Sequence, residues 1–191
     1  MNKNKSSLKF LKNTTKTTAA TAAKRVSFQD NLVNGGNTYI ESSFHEILPG
    51  LWIGDAAAAK NLRFLKNKNI TCIINCTENI PFLEDDLIVH KIRLSVKDNL
   101  EKAEITKLYK LLNSTINKIY SILPDHRILI HCQAGRQRSA TVIAAYLMKF
   151  GNLSKKEAIE VLQSKRLTCF RPGVNFEPAL DRFQTDCNIF A

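Results

Sequence analysis

The sequence predicts one α/β domain in which a central, mainly parallel mixed sheet is flanked by helices. Short β-branched runs of strand length alternate along the chain with segments whose apolar residues recur every three or four positions, a pattern typical of α/β folds. A length of 191 residues with 44% hydrophobic residues suits a single compact domain plus a tail. We therefore divide the chain into a flexible N-terminal tail over residues 1–43 and a folded domain over residues 44–188.

The predicted tail is basic and lacks a pattern that could form a core. Its first 25 positions hold seven of the 28 Lys and Arg residues and no acid, in a chain with a net charge of +11. Because Asn, Thr, Ser and Ala dominate the segment, it cannot bury enough apolar surface to offset the entropy of ordering, and we expect a disordered basic tail. Two interpretations stay open: a solvated terminus, or a segment that docks on an acidic partner, nucleic acid or anionic lipid.

The first half of the domain is predicted to hold four strands and one helix. The segment "HEILPGLWIGD" indicates two short strands around a turn at Pro49-Gly50. Asp55 is placed to cap a single helix formed by "AAAAKNLRFLK". The β-branched run "ITCIIN" has the length of a buried strand, and "LIVHKIRL" predicts another strand.

A long helix, a strand and a buried helix are predicted next. Apolar residues from Ile105 onwards step by three or four and indicate an amphipathic helix that Pro124 ends. The strand "RILIH" follows, and a helical pattern then runs from near Arg138 to Gly151, which is predicted to be its C-terminal cap.

Two more helices complete the predicted domain. Ser154 and Glu157 have the spacing of a capping box, so a helix is expected to start there. The last helix is expected over residues 176–187.

The stretch "IHCQAGRQRSATV", residues 130–142, lies between the predicted strand and the buried helix. Its pattern H-C-x-x-G-x-x-R-S would arise by chance about once in 100,000 sequences of this composition. A loop in this place points backbone N–H groups at one spot, where the helix dipole also favours negative charge. Gly135 allows the backbone to turn in close, and the planar fork of Arg138 can hold two phosphate oxygens. The sequence therefore predicts a phosphate-binding loop between strand and helix.

Cys132 lies at the base of that loop, where the same dipoles stabilise a thiolate and lower the pKa of the thiol from about 8.5. Such a cysteine is a nucleophile placed under phosphorus. His131 is expected to orient the loop and the thiolate by hydrogen bonding, and the Ser139 hydroxyl to donate to the sulfur when it leaves. The alternative is structural: His131 as a satisfied core histidine and Ser139 as a helix cap.

The string "HCQAGRQRS" resembles the signature of cysteine-dependent protein tyrosine phosphatases. Further segments resemble the compact dual-specificity branch of that superfamily, in order and spacing, over roughly residues 44–186. They are "LPGLWIGDAAAAKN", "ITCIINCTEN", "RLSVKDN", "SATVIAAYLMKFGNLSKKEAIEVLQSKR" and "FEPALDRF". The resemblance implies an enzyme that hydrolyses phosphotyrosine and phosphoserine or phosphothreonine in proteins through a phosphocysteine intermediate, with no metal and no cofactor.

The resemblance also implies roles for individual residues. Cys132 is the nucleophile, Arg138 the phosphate clamp and Ser139 the helper in hydrolysing the phosphocysteine, beside His131. Asp98 is the general acid that protonates the leaving oxygen, with Glu101 as its nearest competitor. The substrate phosphate is expected to contact the loop residues Gln133, Ala134, Gly135, Arg136, Gln137 and Arg138.

Two departures from the family pattern leave the substrate open. Arg136 stands where an apolar or small residue is usual, and "PGVNFEPAL" differs from the usual downstream P-N-x-G-F-x-x-Q-L. The extra charge suits a doubly phosphorylated peptide, a phosphoinositide or an RNA 5′ end, or else Arg136 is solvated. The alternatives are therefore a phosphoinositide or RNA 5′-phosphatase of the same superfamily, and a phosphate-binding pseudophosphatase that only docks partners.

Five irregularly spaced cysteines and no recognisable signal peptide predict reduced thiols and a cytoplasmic or nuclear location. The apolar runs are too short to span a bilayer, so no transmembrane segment is expected. Cys76 ends the strand "ITCIIN", which is expected beside strand 128–131, so it is a candidate redox partner of Cys132. The alternative is a small apolar side chain packed at a strand end.

One short string in the tail suggests a partner. "KRVSF", residues 24–28, fits the basic-x-Val-x-Phe pattern by which regulators dock on the type-1 serine/threonine phosphatase. Because the pattern is short, a chance string in a flexible tail is the alternative.

Overall fold

The computed structural model describes residues 43–187. The predictions made for the basic tail, including its docking string at residues 24–28, lie outside these residues. The described part forms one α/β domain around a five-stranded sheet with strand order β1-β2-β5-β3-β4, flanked by helices. The predicted fold class is confirmed.

The strands are β1 (Phe44–Leu48), β2 (Leu51–Gly54), β3 (Ile70–Asn75), β4 (His90–Arg93) and β5 (Arg127–His131). β1 and β2 form an antiparallel hairpin around the predicted Pro49-Gly50 turn, and β2, β5, β3 and β4 run parallel. Gly54 on β2 and Asn75 on β3 are both in register with His131 on β5. The carboxyl ends of three neighbouring strands therefore meet at one place on the sheet edge.

The predicted helix after Asp55 is two short helices, α1 (Ala56–Lys60) and α2 (Leu62–Asn67). Asp55 caps α1 as expected, because its carboxylate accepts a hydrogen bond from the Ala58 N–H at 2.9 Å. Asn61 breaks the run with non-helical backbone angles, and its side chain caps α2 by accepting from the Phe64 N–H at 3.0 Å. A second capping side chain inside the helical pattern thus explains the difference.

The remaining helices are α3 (Lys102–Ile122), α4 (Arg138–Gly151), α5 (Lys155–Lys165) and α6 (Glu177–Asp186). The predicted capping box of α5 is confirmed. The prediction that Gly151 caps α4 is wrong: Gly151 is the last helical residue, and Asn152 with φ 55° takes the left-handed cap position. Asparagine tolerates that backbone conformation better than most residues, which is why the cap could fall there.

The centre of the sheet is buried on both faces. Ile128, Leu129 and Ile130 of β5 are all fully buried, as expected for a parallel strand between helices. Leu129 packs with Phe64 in a cluster formed with α1 and α2. α4 is buried along almost its whole length, in 12 of its 14 residues, so its N-terminus is held rigidly against the sheet edge. Within residues 43–187, no helix is long and apolar enough to cross a membrane.

Candidate active site

The loop between β5 and α4 makes its tightest turn at Gly135. The φ of this residue is +65°, in the left-handed region that favours glycine. A Cβ atom added there would lie 2.6 Å from the Gly54 carbonyl oxygen, so the loop packs backbone to backbone against the end of β2. The close turn that the sequence predicts at this glycine is present in the structure.

The carbonyl oxygens of residues 133–137 all accept hydrogen bonds from donors outside the concave side of the loop. The donors are Ala56 N to Gln133 O (3.1 Å), Arg166 Nη2 to Ala134 O (3.3 Å), Arg166 Nε to Gly135 O (3.0 Å), Phe170 N to Arg136 O (2.9 Å) and Thr141 N to Gln137 O (2.8 Å). The C=O and N–H of a trans peptide point in opposite directions. Because the carbonyls are held outward, the loop N–H groups face the concavity, where they can bind an oxyanion.

Cys132 lies at the start of this loop and is 2% exposed. Burial by itself raises the pKa of its thiol, but the hydrogen bonds of the Ser139 hydroxyl and N–H, the charge of Arg138 and the Arg136 N–H lower the pKa below its usual value overall. The Ser139 hydroxyl donates to the sulfur at 3.4 Å. The site therefore stabilises a thiolate at neutral pH more than an ordinary cysteine environment does.

Arg138 is a buried cation in which one nitrogen has no hydrogen-bond partner among the described residues. Its guanidinium donates from Nη1 to the Val96 carbonyl at 2.8 Å and from Nη2 to the Asp98 carboxylate at 3.0 Å. Its Nε is buried and has no hydrogen-bond partner among residues 43–187. A buried N–H without a partner is costly, so this atom is available for a ligand such as a phosphate oxygen.

The loop before α3 brings Asp98 to the site. The Asp98 side chain is 43% exposed and forms the ion pair with Arg138. Its neighbour Lys97 is anchored because the Lys97 N–H donates to Glu104 of α3 at 2.8 Å. Glu101, the other acid considered, is exposed at the N-cap of α3 and makes no described contact with the loop over 132–137. Of the two acids, the structure places Asp98 against the Arg138 guanidinium.

Residues 51–186 match the family described as "Dual specificity phosphatase, catalytic domain". This chain belongs to that family. Mouse dual specificity protein phosphatase 14 is 37% identical over 133 residues, which cover 69% of this chain and 64% of the relative. Human dual specificity protein phosphatase 1 is 35% identical over 141 residues, 73% of this chain and 37% of the relative. The chain thus spans less than two thirds of the length of these relatives.

The fold of this dual specificity phosphatase domain is also that of a solved relative. The crystal structure of human DUSP28 superposes with a TM-score of 0.68 at 23% identity, covering 78% of this chain and 97% of that one. This comparison supports the fold of the domain over residues 43–187.

His131 differs from its expected contact. It is buried, and its Nδ1 lies 3.4 Å from the carbonyl oxygen of Cys132, not against the sulfur. Burial, assisted by the charges of Arg93 and Arg138, lowers the pKa of the imidazole to about 4 against weaker effects that raise it. The ring is therefore neutral at neutral pH, and in this domain the described hydrogen bonds to the sulfur come from other residues.

The loop side chains divide into two groups. Those of Gln133, Ala134 and Arg136 are exposed, and Arg136 makes no described ion pair. The side chain of Gln137 is buried and held by the segment before α6: its Nε2 donates to the Gly173 carbonyl at 2.8 Å and its Oε1 accepts from the Asn175 N–H at 3.1 Å. Contact between the loop at Gln137 and a substrate phosphate stays a prediction that involves the backbone and not this side chain.

Cys76 takes the place expected for it at the sheet edge. Its N–H donates to the His131 carbonyl at 2.9 Å, so it lies immediately beside the start of the loop. The side chain is fully buried, and burial together with the nearness of Cys132 raises the pKa of its thiol, while Arg138 opposes the rise. All five cysteines are free thiols. Cys76 is therefore a protonated thiol that is shielded from solvent in the folded domain.

Sequence reasoning missed Arg166, which is 3% exposed behind the loop. At the end of α5 it follows Lys165 in the string "SKR", which has the composition of a solvated helix end. No local signal distinguishes a buried arginine from an exposed one there. Among residues 43–187, no group of three or more His, Cys, Asp or Glu side chains is placed to hold a metal ion.

Proposed function

We propose that this chain is a protein phosphatase that hydrolyses phosphotyrosine, and phosphoserine or phosphothreonine, through a phosphocysteine intermediate. The observation that carries the proposal is a low-pKa cysteine beneath a loop of inward N–H groups, flanked by an arginine with a free buried donor. Relatives that are 35–37% identical bear the name dual specificity protein phosphatase, which supports protein substrates.

In the first step, the Cys132 thiolate attacks phosphorus while the loop N–H groups and Arg138 bind the phosphate oxygens. The sulfur–phosphorus bond forms and the bond from phosphorus to the substrate oxygen breaks. That oxygen takes a proton from the Asp98 carboxyl, which must be protonated at this point. A bound phosphate also competes with Asp98 for the Arg138 guanidinium, so substrate binding releases the acid from its ion pair.

In the second step, water hydrolyses the phosphocysteine. The water oxygen attacks phosphorus, its proton passes to the Asp98 carboxylate, and the sulfur leaves as a thiolate. The Ser139 hydroxyl donates to that sulfur and stabilises it as it leaves. Inorganic phosphate and the starting enzyme are the products.

Replacing the nucleophile tests the proposal. Cys132→Ser is expected to abolish hydrolysis of p-nitrophenyl phosphate. The variant should still bind a phosphotyrosine peptide, because Arg138 and the N–H groups of the phosphate-binding loop, which we call the cradle, remain. Cys187→Ser, which changes a half-buried thiol just beyond α6, is the matched control and should keep wild-type turnover. Undiminished turnover by Cys132→Ser would refute the mechanism, and a wild-type chain that binds phosphopeptide without turnover would identify a pseudophosphatase.

A second candidate within the superfamily is a phosphoinositide or RNA 5′-phosphatase. The observation that favours it is Arg136, an exposed cation at the rim of the cradle without a described ion-pair partner. A panel of phosphopeptides, phosphoinositide vesicles and 5′-triphosphorylated RNA distinguishes the classes. A higher kcat/KM on lipid or RNA than on every phosphopeptide would replace the protein substrate assigned above.

Two proposals concern the rest of the chain. We place the protein in the cytosol or nucleus, supported by its five free thiols. We also propose that the tail docks on an acidic partner or, through residues 24–28, on the type-1 serine/threonine phosphatase. The immobilised full chain should then pull down the type-1 serine/threonine phosphatase from solution, and changing both Val26 and Phe28 to Ala should abolish this binding. Equal recovery by the double variant would discard this docking mode.

A further inference from the structure

The middle of the phosphate-binding loop is held by a side chain from another element. Arg166 donates from Nε to the Gly135 carbonyl at 3.0 Å and from Nη2 to the Ala134 carbonyl at 3.3 Å, and its Nη1 lies 3.0 Å from His45 Nδ1 on β1. The carbonyls of residues 133, 136 and 137 receive their hydrogen bonds from backbone N–H groups instead. The two central peptides thus depend on one guanidinium, which a substitution can remove.

One peptide unit connects Arg166 with the Cys132 sulfur. The Gly135 carbonyl and the Arg136 N–H belong to the same peptide group, and the Arg136 N–H is one of the groups that lower the pKa of the Cys132 thiol. A cation that binds the carbonyl fixes the direction of this N–H and polarises it, which strengthens its bond to a thiolate. The same argument applies to the Ala134–Gly135 peptide, whose N–H faces the phosphate position.

We propose that Arg166 is a positioning residue that holds the two central loop peptides with their N–H groups toward the sulfur and the bound phosphate. Its contribution to the reaction rests on the function proposed above, whereas its effect on the thiol exists without any turnover. The other ionisable groups of the site are Arg138 with its partner Asp98, Cys76 and His131, and none of them donates to the carbonyls that Arg166 holds.

Arginine suits this place because its planar fork can serve several acceptors at once, whereas the ammonium of lysine is a single point. Arg166→Lys can reach one of the two carbonyls, and Arg166→Met reaches neither. The thiol should therefore respond in a graded manner to the two substitutions. A merely structural role would lower thermal stability without changing the pKa of the thiol.

The experiment measures the rate of Cys132 alkylation by iodoacetamide against pH in the full chain, with peptide mapping to identify the modified cysteine. We expect Arg166→Met to raise the pKa of the thiol by about one unit, the effect of weakening one charge-assisted hydrogen bond, and Arg166→Lys to lie between it and the wild type. Protection by inorganic phosphate should require about tenfold more phosphate in Arg166→Met. Circular dichroism and thermal melting report whether each variant is folded.

Arg127→Met is the matched control, because Arg127 also donates to a carbonyl, that of Lys68, at 3.2 Å, but at the opposite end of β5. It should leave the pKa of the thiol and the phosphate protection unchanged. A folded Arg166→Met with wild-type values of both would overturn the proposal. If Arg166→Met does not fold, a wild-type pKa in Arg166→Lys overturns it equally. A wild-type chain without phosphatase activity would contradict the proposed function and leave this series interpretable.

Discussion

Gly135 is the position where a single added carbon atom tests the geometry of the cradle. The added Cβ of Gly135→Ala would lie 2.6 Å from Gly54 O, 2.7 Å from Gly54 C and 3.0 Å from Asp55 N. All three neighbours are backbone atoms, which cannot move aside by rotating a side chain. The left-handed φ costs alanine about 1–2 kcal/mol, and overpacking of a rigid site costs about 1–3 kcal/mol more.

The loop can relieve that strain only by moving away from β2. Such a movement carries the Arg136 N–H away from the Cys132 sulfur, and the loop N–H groups then no longer face a common point. We expect kcat/KM on p-nitrophenyl phosphate to fall at least about 100-fold, the effect of losing one preorganised donor. The melting temperature should fall by about 4–20 °C if the whole strain, on the order of 2–5 kcal/mol, is retained in the fold.

Gly173→Ala is the control, because an added Cβ there would meet no atom within 4 Å and the residue does not have a left-handed φ. It lies in the segment that Gln137 ties to the loop, so it also tests whether any substitution nearby impairs activity. Gly173→Ala should retain wild-type kcat/KM and stability. Wild-type kcat/KM in Gly135→Ala would refute the argument that close backbone packing forms the cradle.

Three further predictions follow from the site. Asp98→Asn should lower kcat on phenyl phosphate about 100- to 10,000-fold and less on p-nitrophenyl phosphate, whose leaving group needs a proton less, while Glu101→Gln stays near wild type; equal losses on both substrates would argue against a general acid. Because His131 has a pKa of about 4 when folded and about 6.5 when unfolded, its stability contribution is present above pH 6.5 and is lost as pH falls through 4. The free energy of unfolding measured in urea should therefore fall with acid by up to about 3 kcal/mol less in His131→Gln than in the wild type. An identical pH dependence in the two proteins would contradict this prediction. Cys76 and Cys132 directly follow the paired end residues of β3 and β5, which are neighbouring strands about 4.8 Å apart. After peroxide converts the Cys132 thiolate to sulfenic acid, the Cys76 thiol should displace water and form a disulfide that dithiothreitol reverses. Irreversible inactivation in Cys76→Ser supports this role, and recovery equal to the wild type eliminates it.

The parts of the structure that sequence reasoning predicted are those whose causes lie within a few residues. Only five residues separate Cys132 from Arg138 in the chain, so the loop, its glycine and the helix start could be inferred from local geometry. The capping box at Ser154 is local in the same sense. The break at Asn61 was missed because two capping residues six positions apart have the same composition as one helix with a polar face.

Asp98 is an intermediate case. Nothing in its own segment distinguishes it from a solvated loop acid, and the prediction depended on resemblance to a family. The structure adds the physical reason for its place: Glu104 anchors the backbone of the loop, and Arg138 pairs with the carboxylate. Both contacts join residues whose relation is visible only after α3 and α4 have packed.

The outer side of the loop could not be predicted from sequence because its donors come from separate parts of the chain. Ala56 supplies an N–H from α1, Arg166 a guanidinium from the end of α5, and Phe170 an N–H from the segment after it. Each of these donors is ordinary in its local context. Yet a peptide that presents its N–H to a phosphate must have its carbonyl satisfied elsewhere, since a buried carbonyl without a donor is costly. An inner surface of N–H groups therefore requires outer donors for its carbonyls. Substitution of those outer donors should change the pKa of the Cys132 thiol, although they do not contact the substrate.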